Sequence, residues 1–176
     1  TYFQERIIEG MLKTCVHYGP IACKKPDDYD ARANLMWTAS WAINGFIACG
    51  KMGPWPAHAM EHQLSAYYDV THGHGLAVII PALMKYILNE KTALIFSNYG
   101  KNVFGINSDL SNMQIAEIAI DKTKRLFKDM GLKCRLRDLG INTRDKFEIK
   151  ACESGTEECM VPLYKKDIIK IYKLCF

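Results

Sequence analysis

Two helices and the turn between them are predicted from the stretch Ala57–Tyr86, A-H-A-M-E-H-Q-L-S-A-Y-Y-D-V-T-H-G-H-G-L-A-V-I-I-P-A-L-M-K-Y. Pro56, just before it, suits the first position of a helix, which predicts a helix over Ala57–Asp69. The glycines of Gly73-His74-Gly75 predict a break, and the apolar run that follows predicts a buried helix over Leu76–Leu88. The stretch also holds four of the five histidines in the chain. Because imidazole is the commonest metal ligand, this is where a functional site is expected.

The rest of the chain has the same helical character. Its apolar residues recur at spacings of three and four, as they do in one face of a helix. No strand pattern or internal repeat accompanies this spacing. The sequence therefore predicts an all-α protein with one domain over residues 1–176. The further helices are expected over Tyr2–Tyr18 (ended by Gly19-Pro20), Tyr29–Cys49, Lys91–Val103, Asn112–Met130 (with Ser108 as N-cap and Gly131 as stop), Arg144–Ala151 and Lys166–Cys175.

Composition and charge exclude several classes of partner. The chain is 49% hydrophobic and 24% charged, which is ordinary for a globular protein in water. Its net charge of +4 comes from basic residues interleaved with acidic ones, which favours a solvated surface over a nucleic-acid site. No apolar run approaches the roughly 20 residues that span a membrane. The seven cysteines form no C-x-x-C pair, which predicts reduced, buried thiols and a cytoplasmic protein.

The spacing of the histidines makes a metal site possible but incomplete. His58 and His62 are four residues apart and share one face of the predicted helix. His72 follows ten residues later and could fold back toward either of them. A divalent metal ion takes about four ligands, so two or three imidazoles do not complete a site. A histidine pair with this spacing can also lie on the surface or in the core of a protein without binding a metal ion.

A second interpretation of the same residues is a metallopeptidase. His58-Ala59-Met60-Glu61-His62 fits the pattern H-x-x-E-H, in which both histidines bind zinc and the glutamate activates water. This interpretation leaves His72 without a role. Nothing downstream marks the further ligand that it requires.

Four segments together carry a resemblance to a known family. Ala57–Tyr86 is joined by A-R-A-N-L-M-W-T-A-S-W-A-I-N-G (Ala31–Gly45), E-R-I-I-E-G-M-L-K-T (Glu5–Thr14) and D-I-I-K-I-Y-K-L (Asp167–Leu174). Together they resemble the iron-containing (group III) alcohol dehydrogenases, and within them the NAD(P)H-dependent butanol dehydrogenase branch. The resemblance implies a helical bundle like the C-terminal domain of the dehydroquinate synthase-like and iron-containing alcohol dehydrogenases.

The resemblance also implies a metal site and roles for three histidines. The family binds one divalent ion, usually iron and sometimes zinc or nickel, through an aspartate and three histidines. Two of those histidines lie fourteen residues apart, matching His58 and His72 as metal ligands. The position four residues after the first lies near the nicotinamide and the substrate. That position is His62, which is thereby implied as the catalytic and cofactor-binding residue.

The sequence departs from the family in two respects. The other two ligands come from a D-x-x-x-H motif, which does not occur here, and the glycine-rich loop of the nucleotide-binding domain is missing as well. The resemblance therefore implies that residues 1–176 are a metal-binding domain without the nucleotide-binding domain and the first two ligands. The intact enzyme is expected to be a homodimer that interconverts a butanol-like alcohol and its aldehyde with NAD(P)H. The chain alone is expected to be inactive. The alternative is a helical interaction module without catalysis.

Overall fold

The structure, a computed structural model, describes residues 1–50, 55–107, 109–142 and 161–176. These residues contain helices and no strand, which confirms the predicted all-α class. The chain divides into two compact units, Thr1–Met52 with Asn89–Met130 and Gly53–Leu88 with Gly131–Phe176. The helices described are α1 (Tyr2–Lys24), α2 (Tyr29–Ile43), α3 (Pro56–Tyr68), α4 (His72–Ile87), α5 (Ala93–Phe104), α6 (Asn112–Asp129), a 3-10 turn (Arg137–Leu139) and α7 (Lys165–Leu174).

Helix α1 is longer than the sequence predicts, because it continues through Gly19 and Pro20 to Lys24. The expected stop at Gly19-Pro20 is wrong. Gly19 serves packing instead: a Cβ atom there would lie 2.9 Å from the sulfur of Met130, which follows α6. The helix ends one turn later, where the backbone N–H of Lys25 donates to the carbonyl of Ile21 at 2.8 Å.

Helix α2 is shorter than predicted and ends at Ile43 rather than near Cys49. Gly45 has a φ of 87°, a left-handed conformation that a right-handed helix cannot contain. Asn44 stabilises the turn, because its side-chain oxygen accepts from the backbone N–H of Phe46 at 3.0 Å. At the other end, the Asp28 carboxylate caps the helix by accepting from the N–H of Ala31 at 2.9 Å.

Helices α5 and α6 pack closely in the first unit. α6 begins with a capping box between Ser111 and Gln114, so the N-cap is Ser111; the predicted N-cap, Ser108, lies outside the described residues. Gly131 has a φ of 84°, which confirms it as the stop of α6. A Cβ atom at Gly100 would lie 2.8 Å from the side chain of Ile115 on α6. The two helices therefore approach each other at a position where α5 has no side chain.

The second unit is built from α3, α4 and α7. Their buried apolar side chains form one core, and the hydroxyl of Tyr172 on α7 donates to the carbonyl of Met60 on α3 at 2.7 Å. The backbone N–H of Leu136 donates to the carbonyl of Cys175 at 2.7 Å. Helix α7 confirms the closing helix predicted over Lys166–Cys175. The short helix expected over 144–151 lies outside the described residues.

The break predicted at Gly73-His74-Gly75 is wrong. α4 already begins at His72, and the N–H groups of His74 and Gly75 both donate to the carbonyl of Thr71, at 2.9 and 3.1 Å. The chain reverses earlier, at Asp69, whose φ of 51° ends α3 in the left-handed conformation. The glycines therefore lie in the first turn of a helix and not in a loop.

Cysteine burial also differs from the prediction. None of the five cysteines in the described residues forms a disulfide, and Cys15, Cys23 and Cys49 are exposed whereas Cys175 is buried. The expected burial is therefore wrong for Cys15, Cys23 and Cys49. No helix among the described residues has the length and apolar character needed to cross a membrane.

We expect Gly100→Ala to destabilise the protein by about 1–3 kcal/mol, because the added methyl group collides with the side chains of α6. Gly10→Ala is the matched control: it lies within α1, and a Cβ atom there meets nothing within 4 Å. We expect it to stabilise by about 0.5–1 kcal/mol, because alanine is the better helix former. Urea denaturation of both variants measures the difference. Equal effects of the two changes would contradict the packing argument.

A hydrogen bond between α4 and α7 should make stability depend on pH. The Tyr86 hydroxyl donates to the Asp167 carboxylate at 2.6 Å, which lowers the pKa of Asp167 and raises the pKa of Tyr86 to about 12. A lowered aspartate pKa means that the ionised carboxylate stabilises the fold at neutral pH and that this contribution is lost as the pH falls. We expect Tyr86→Phe to cost about 1 kcal/mol at pH 7.

The cost should shrink as the pH falls below about 4, the pKa of an unperturbed aspartate, toward the lowered pKa of Asp167 in the folded protein. Urea denaturation at pH 7 and in acid measures it, with Tyr29→Phe, at an exposed tyrosine, as the control. A cost that stays the same at both pH values would contradict this role of the Asp167 charge.

Candidate metal centre

Three histidines come together at the start of the second unit. His58 and His62 lie one turn apart on α3, and His72 is the first residue of α4. One ligand atom of each lies within 4.8 Å of the ligand atoms of the other two. In the part of the chain that the structure describes, this is the one group of three or more histidine, cysteine or acidic side chains with that geometry.

The turn between α3 and α4 produces this arrangement. Pro56 occupies the first turn of α3, which runs to Tyr68, and Asp69 then reverses the chain in the left-handed conformation. Two further residues lead to His72, so the start of α4 returns beside α3. Because only residues 69–71 link α3 to α4, His72 lies close to the histidines of α3.

The separation of His58 and His72 suits a shared ion. Nδ1 of His58 lies 3.2 Å from Nε2 of His72. Two imidazole nitrogens bound to one tetrahedral ion, each at about 2.0–2.1 Å, are about 3.3 Å apart. The two rings are therefore already spaced as ligands of a single metal ion are.

The carboxylate of Glu61 is hydrogen-bonded to the second ring nitrogen of His72. This carboxylate is fully buried, with 0% exposure, and Oε2 is hydrogen-bonded to Nδ1 of His72. Metal-binding histidines commonly donate their second ring N–H to a carboxylate in this way. The bond leaves Nε2, on the side of His58, as the nitrogen available to an ion.

This position of Glu61 also bears on the peptidase interpretation. A glutamate that activates water must reach the solvent beside the metal, whereas the Glu61 carboxylate is buried and occupied by His72. The H-x-x-E-H interpretation therefore has no support in the structure. From the sequence, Glu61 has the peptidase role or a structural hydrogen bond, and no local spacing identifies His72 as its partner.

His58 is only partly buried and has an aromatic neighbour. The ring of Trp55 lies 5.0 Å from it, centroid to centroid. Burial lowers the pKa of His58, the nearby imidazoles of His72 and His62 lower it further, and the charge of Glu61 acts in the opposite direction. The net effect favours the neutral imidazole, which is the form that binds metal.

His62 is exposed and lies as near to His72 as His58 does. The ring centroids of His62 and His72 are 5.3 Å apart, and those of His58 and His72 are 5.1 Å apart. The structure thus brings together all three histidines that the sequence singled out. The division into two ligands and one residue near the substrate stays a prediction.

Comparison with known proteins matches residues 1–176 to the Fe-containing alcohol dehydrogenase family, C-terminal. Among curated relatives, NADH-dependent butanol dehydrogenases A and B of Clostridium acetobutylicum are 46% and 48% identical to the chain. Each of these alignments covers 98% of this chain and 45% of the relative. The chain thus spans about half the length of the curated relatives it matches.

Solved structures give the same result. The NADH-dependent butanol dehydrogenase A of Thermotoga maritima matches with a TM-score of 0.86 and 32% identity, over 98% of this chain and 46% of that one. The aldehyde reductase YqhD of Escherichia coli matches with a TM-score of 0.87 and 30% identity, over 100% of this chain and 47% of that one. The chain that carries this histidine pair therefore belongs to the Fe-containing alcohol dehydrogenase family and corresponds to its C-terminal part.

Proposed function

We propose that this chain is the metal-holding part of an alcohol dehydrogenase that interconverts a butanol-like primary alcohol and its aldehyde with NAD(P)H. The observation that carries the proposal is the 3.2 Å separation of the His58 and His72 ring nitrogens. The names of the relatives point in the same direction, because two of them are NADH-dependent butanol dehydrogenases. Another relative is an NADPH-dependent aldehyde reductase, so the proposal covers both nicotinamides.

The residues present fit a divalent ion. His58 and His72 are the proposed ligands, with Fe²⁺ as the proposed ion and Zn²⁺ or Ni²⁺ as alternatives, since imidazole binds all three. The fit rests on the buried carboxylate of Glu61, which orients one of the two rings. The aspartate and the third histidine that the family resemblance adds have no matching motif in residues 1–176. We propose that residues outside this sequence supply them.

When bound, the ion supplies a Lewis acid for the substrate oxygen, and the nicotinamide supplies or accepts the hydride. The residues of this chain do the remaining work. His62 is exposed beside the ligand pair, and its imidazole passes the hydroxyl proton of the alcohol to solvent or orients the nicotinamide. Trp55 lies against His58 and borders the side from which the alcohol enters.

The wider setting belongs to the proposal too. We propose a cytoplasmic homodimer that acts on small alcohols and aldehydes and has neither nucleic acid nor membrane as a partner. What supports this is the family membership and the mixed surface charge. Neither the interaction-module alternative nor the peptidase alternative has an observation in its favour.

The proposed function is tested by measuring metal content and NADH oxidation with butyraldehyde. The chain alone is compared with the chain extended upstream by the part of butanol dehydrogenase A that precedes the matched region. We expect the extended protein to bind a metal ion and to oxidise NADH. We expect the chain alone not to oxidise NADH. An extended protein that folds and binds nicotinamide but stays inactive with every one of the three metals would contradict the proposal.

We expect His72→Ala in the extended protein to abolish metal retention and activity together, because the ring that faces His58 is removed. Metal analysis after gel filtration, with the aldehyde assay on the same sample, measures both. His74→Ala is the matched control, since His74 lies on the same turn of α4 but outside the cluster. Full activity with bound metal in His72→Ala would disprove the ligand assignment.

We expect His62→Ala to retain the metal and to lower turnover by about 10²–10⁴-fold, as removal of a proton-transferring residue does. The same two measurements apply. Loss of the metal from this variant would show that His62 is a ligand and that the roles were exchanged.

A further inference from the structure

Glu61 is the most deeply buried acidic group among the described residues, and its carboxylate is hydrogen-bonded to one member of the metal cluster. Oε2 is hydrogen-bonded to Nδ1 of His72, and Oε1 lies 2.6 Å from the hydroxyl of Ser65. That hydroxyl also lies 2.8 Å from the carbonyl of Val70, in the turn that leads to His72. The carboxylate therefore contacts both the ring of His72 and the side chain that is anchored to the preceding turn.

A fully buried carboxylate is costly unless it is paired, so this arrangement needs an explanation. Glu61 is not one of the apolar side chains of the core of the second unit, in which Met60 and Leu64 on the same helix are fully buried. An uncharged side chain of similar volume would serve packing as well. The specific contact that a carboxylate adds is the hydrogen bond to the imidazole of His72.

Gly75 shows that space is reserved for this carboxylate. A Cβ atom at Gly75 would lie 2.5 Å from Oε1, 2.6 Å from Cγ and 2.9 Å from Cδ of Glu61. Gly73, two residues earlier in the same turn of α4, has nothing within 4 Å of the corresponding position. The glycine at 75 is therefore required by the buried acid, whereas the one at 73 is not.

The same contact fixes one property of His72 that metal binding needs. A neutral imidazole carries its proton on one of its two nitrogens, and the hydrogen bond of one nitrogen decides which. A carboxylate that accepts from Nδ1 holds the proton there and leaves Nε2 bare. Nε2 is the atom that lies 3.2 Å from His58.

We propose that Glu61 is a positioning residue that fixes the tautomer and ring direction of His72, and that Gly75 provides the space for its carboxylate. This inference rests on the proposed function insofar as His72 is a metal ligand. Glu61 itself touches neither substrate nor cofactor in this role. It acts through the ring of His72.

The first test reads the tautomer without any metal. Long-range ¹H–¹⁵N spectra of the histidine rings in the 176-residue chain distinguish the two tautomers of His72, with His72→Ala to assign the signal. We expect the Nδ1–H form in the unmodified chain and a loss of that preference in Glu61→Gln. An Nε2–H form in the unmodified chain, or an unchanged spectrum in Glu61→Gln, would overturn the proposal.

The second test measures Zn²⁺ affinity by competition with a chromophoric chelator. We expect Glu61→Gln and Gly75→Ala each to weaken Zn²⁺ binding by about 10–100-fold, the usual effect of removing such a partner of a ligand. The matched controls are Gly73→Ala and, at an exposed carboxylate of α6, Glu117→Gln. In the His72→Ala background, Glu61→Gln should have no further effect, because its target is absent.

The two tests separate this inference from the proposed function. Absence of Zn²⁺ binding in the unmodified chain and in its upstream extension counts against the metal site, while the ring spectra still decide the role of Glu61. If Glu61→Gln loses helical circular dichroism, the spectrum of the unmodified chain and the comparison of Gly75→Ala with Gly73→Ala decide instead. Equal Zn²⁺ affinities in those two glycine variants would overturn the role given to Gly75.

Discussion

The hydrogen bond between Glu61 and His72 is the interaction on which the geometry of the candidate metal centre depends. It joins the middle of α3 to the first residue of α4, and its carboxylate is fully buried. A buried carboxylate without its partner would cost several kcal/mol, so the turn between the helices must bring His72 back to this point. The reversal at Asp69 and the absence of a side chain at Gly75 allow this contact.

This bond decides which ring nitrogen of His72 can face a metal ion. Nδ1 of His72 is engaged, so Nε2 is the available nitrogen, and it lies beside His58. The ring of Trp55 lies 5.0 Å from that of His58, centroid to centroid. His58 is half-buried, whereas His62 and His72 are both exposed, so the cluster lies at the surface of the second unit.

Periodicity predicted most of the fold, and its errors have identifiable causes. The helices α3, α5, α6 and α7 begin and end close to their predicted bounds, because their apolar faces and stop residues agree. Glycine was the residue most often misinterpreted. At Gly19 and Gly75 the absence of a side chain serves close packing inside a helix, and a packing partner far along the chain leaves no local pattern.

The candidate site was predicted to a similar extent. Spacing placed His58 and His62 on one face and offered His72 as a third candidate, and the family resemblance then paired His58 with His72 as ligands. It could not find the partner of His72, because the contact with Glu61 depends on how the chain reverses between two helices. That reversal takes place at Asp69, the one residue other than glycine with a positive φ in the described ranges. Aspartate tolerates this conformation better than most residues, but its presence in a sequence does not predict a positive φ.

The shortness of the link between α3 and α4 has a consequence for how a metal ion would be captured. Three residues, 69–71, separate the helices that carry His58 and His72. The conformational entropy needed to close so small a loop is lost when the hairpin folds, and not when an ion arrives. An ion bound to one imidazole therefore has the other imidazole close by, at a high effective concentration. Affinity for the ion then depends on the hairpin being folded, and occupancy should in return protect the backbone amides of this hairpin against exchange with solvent.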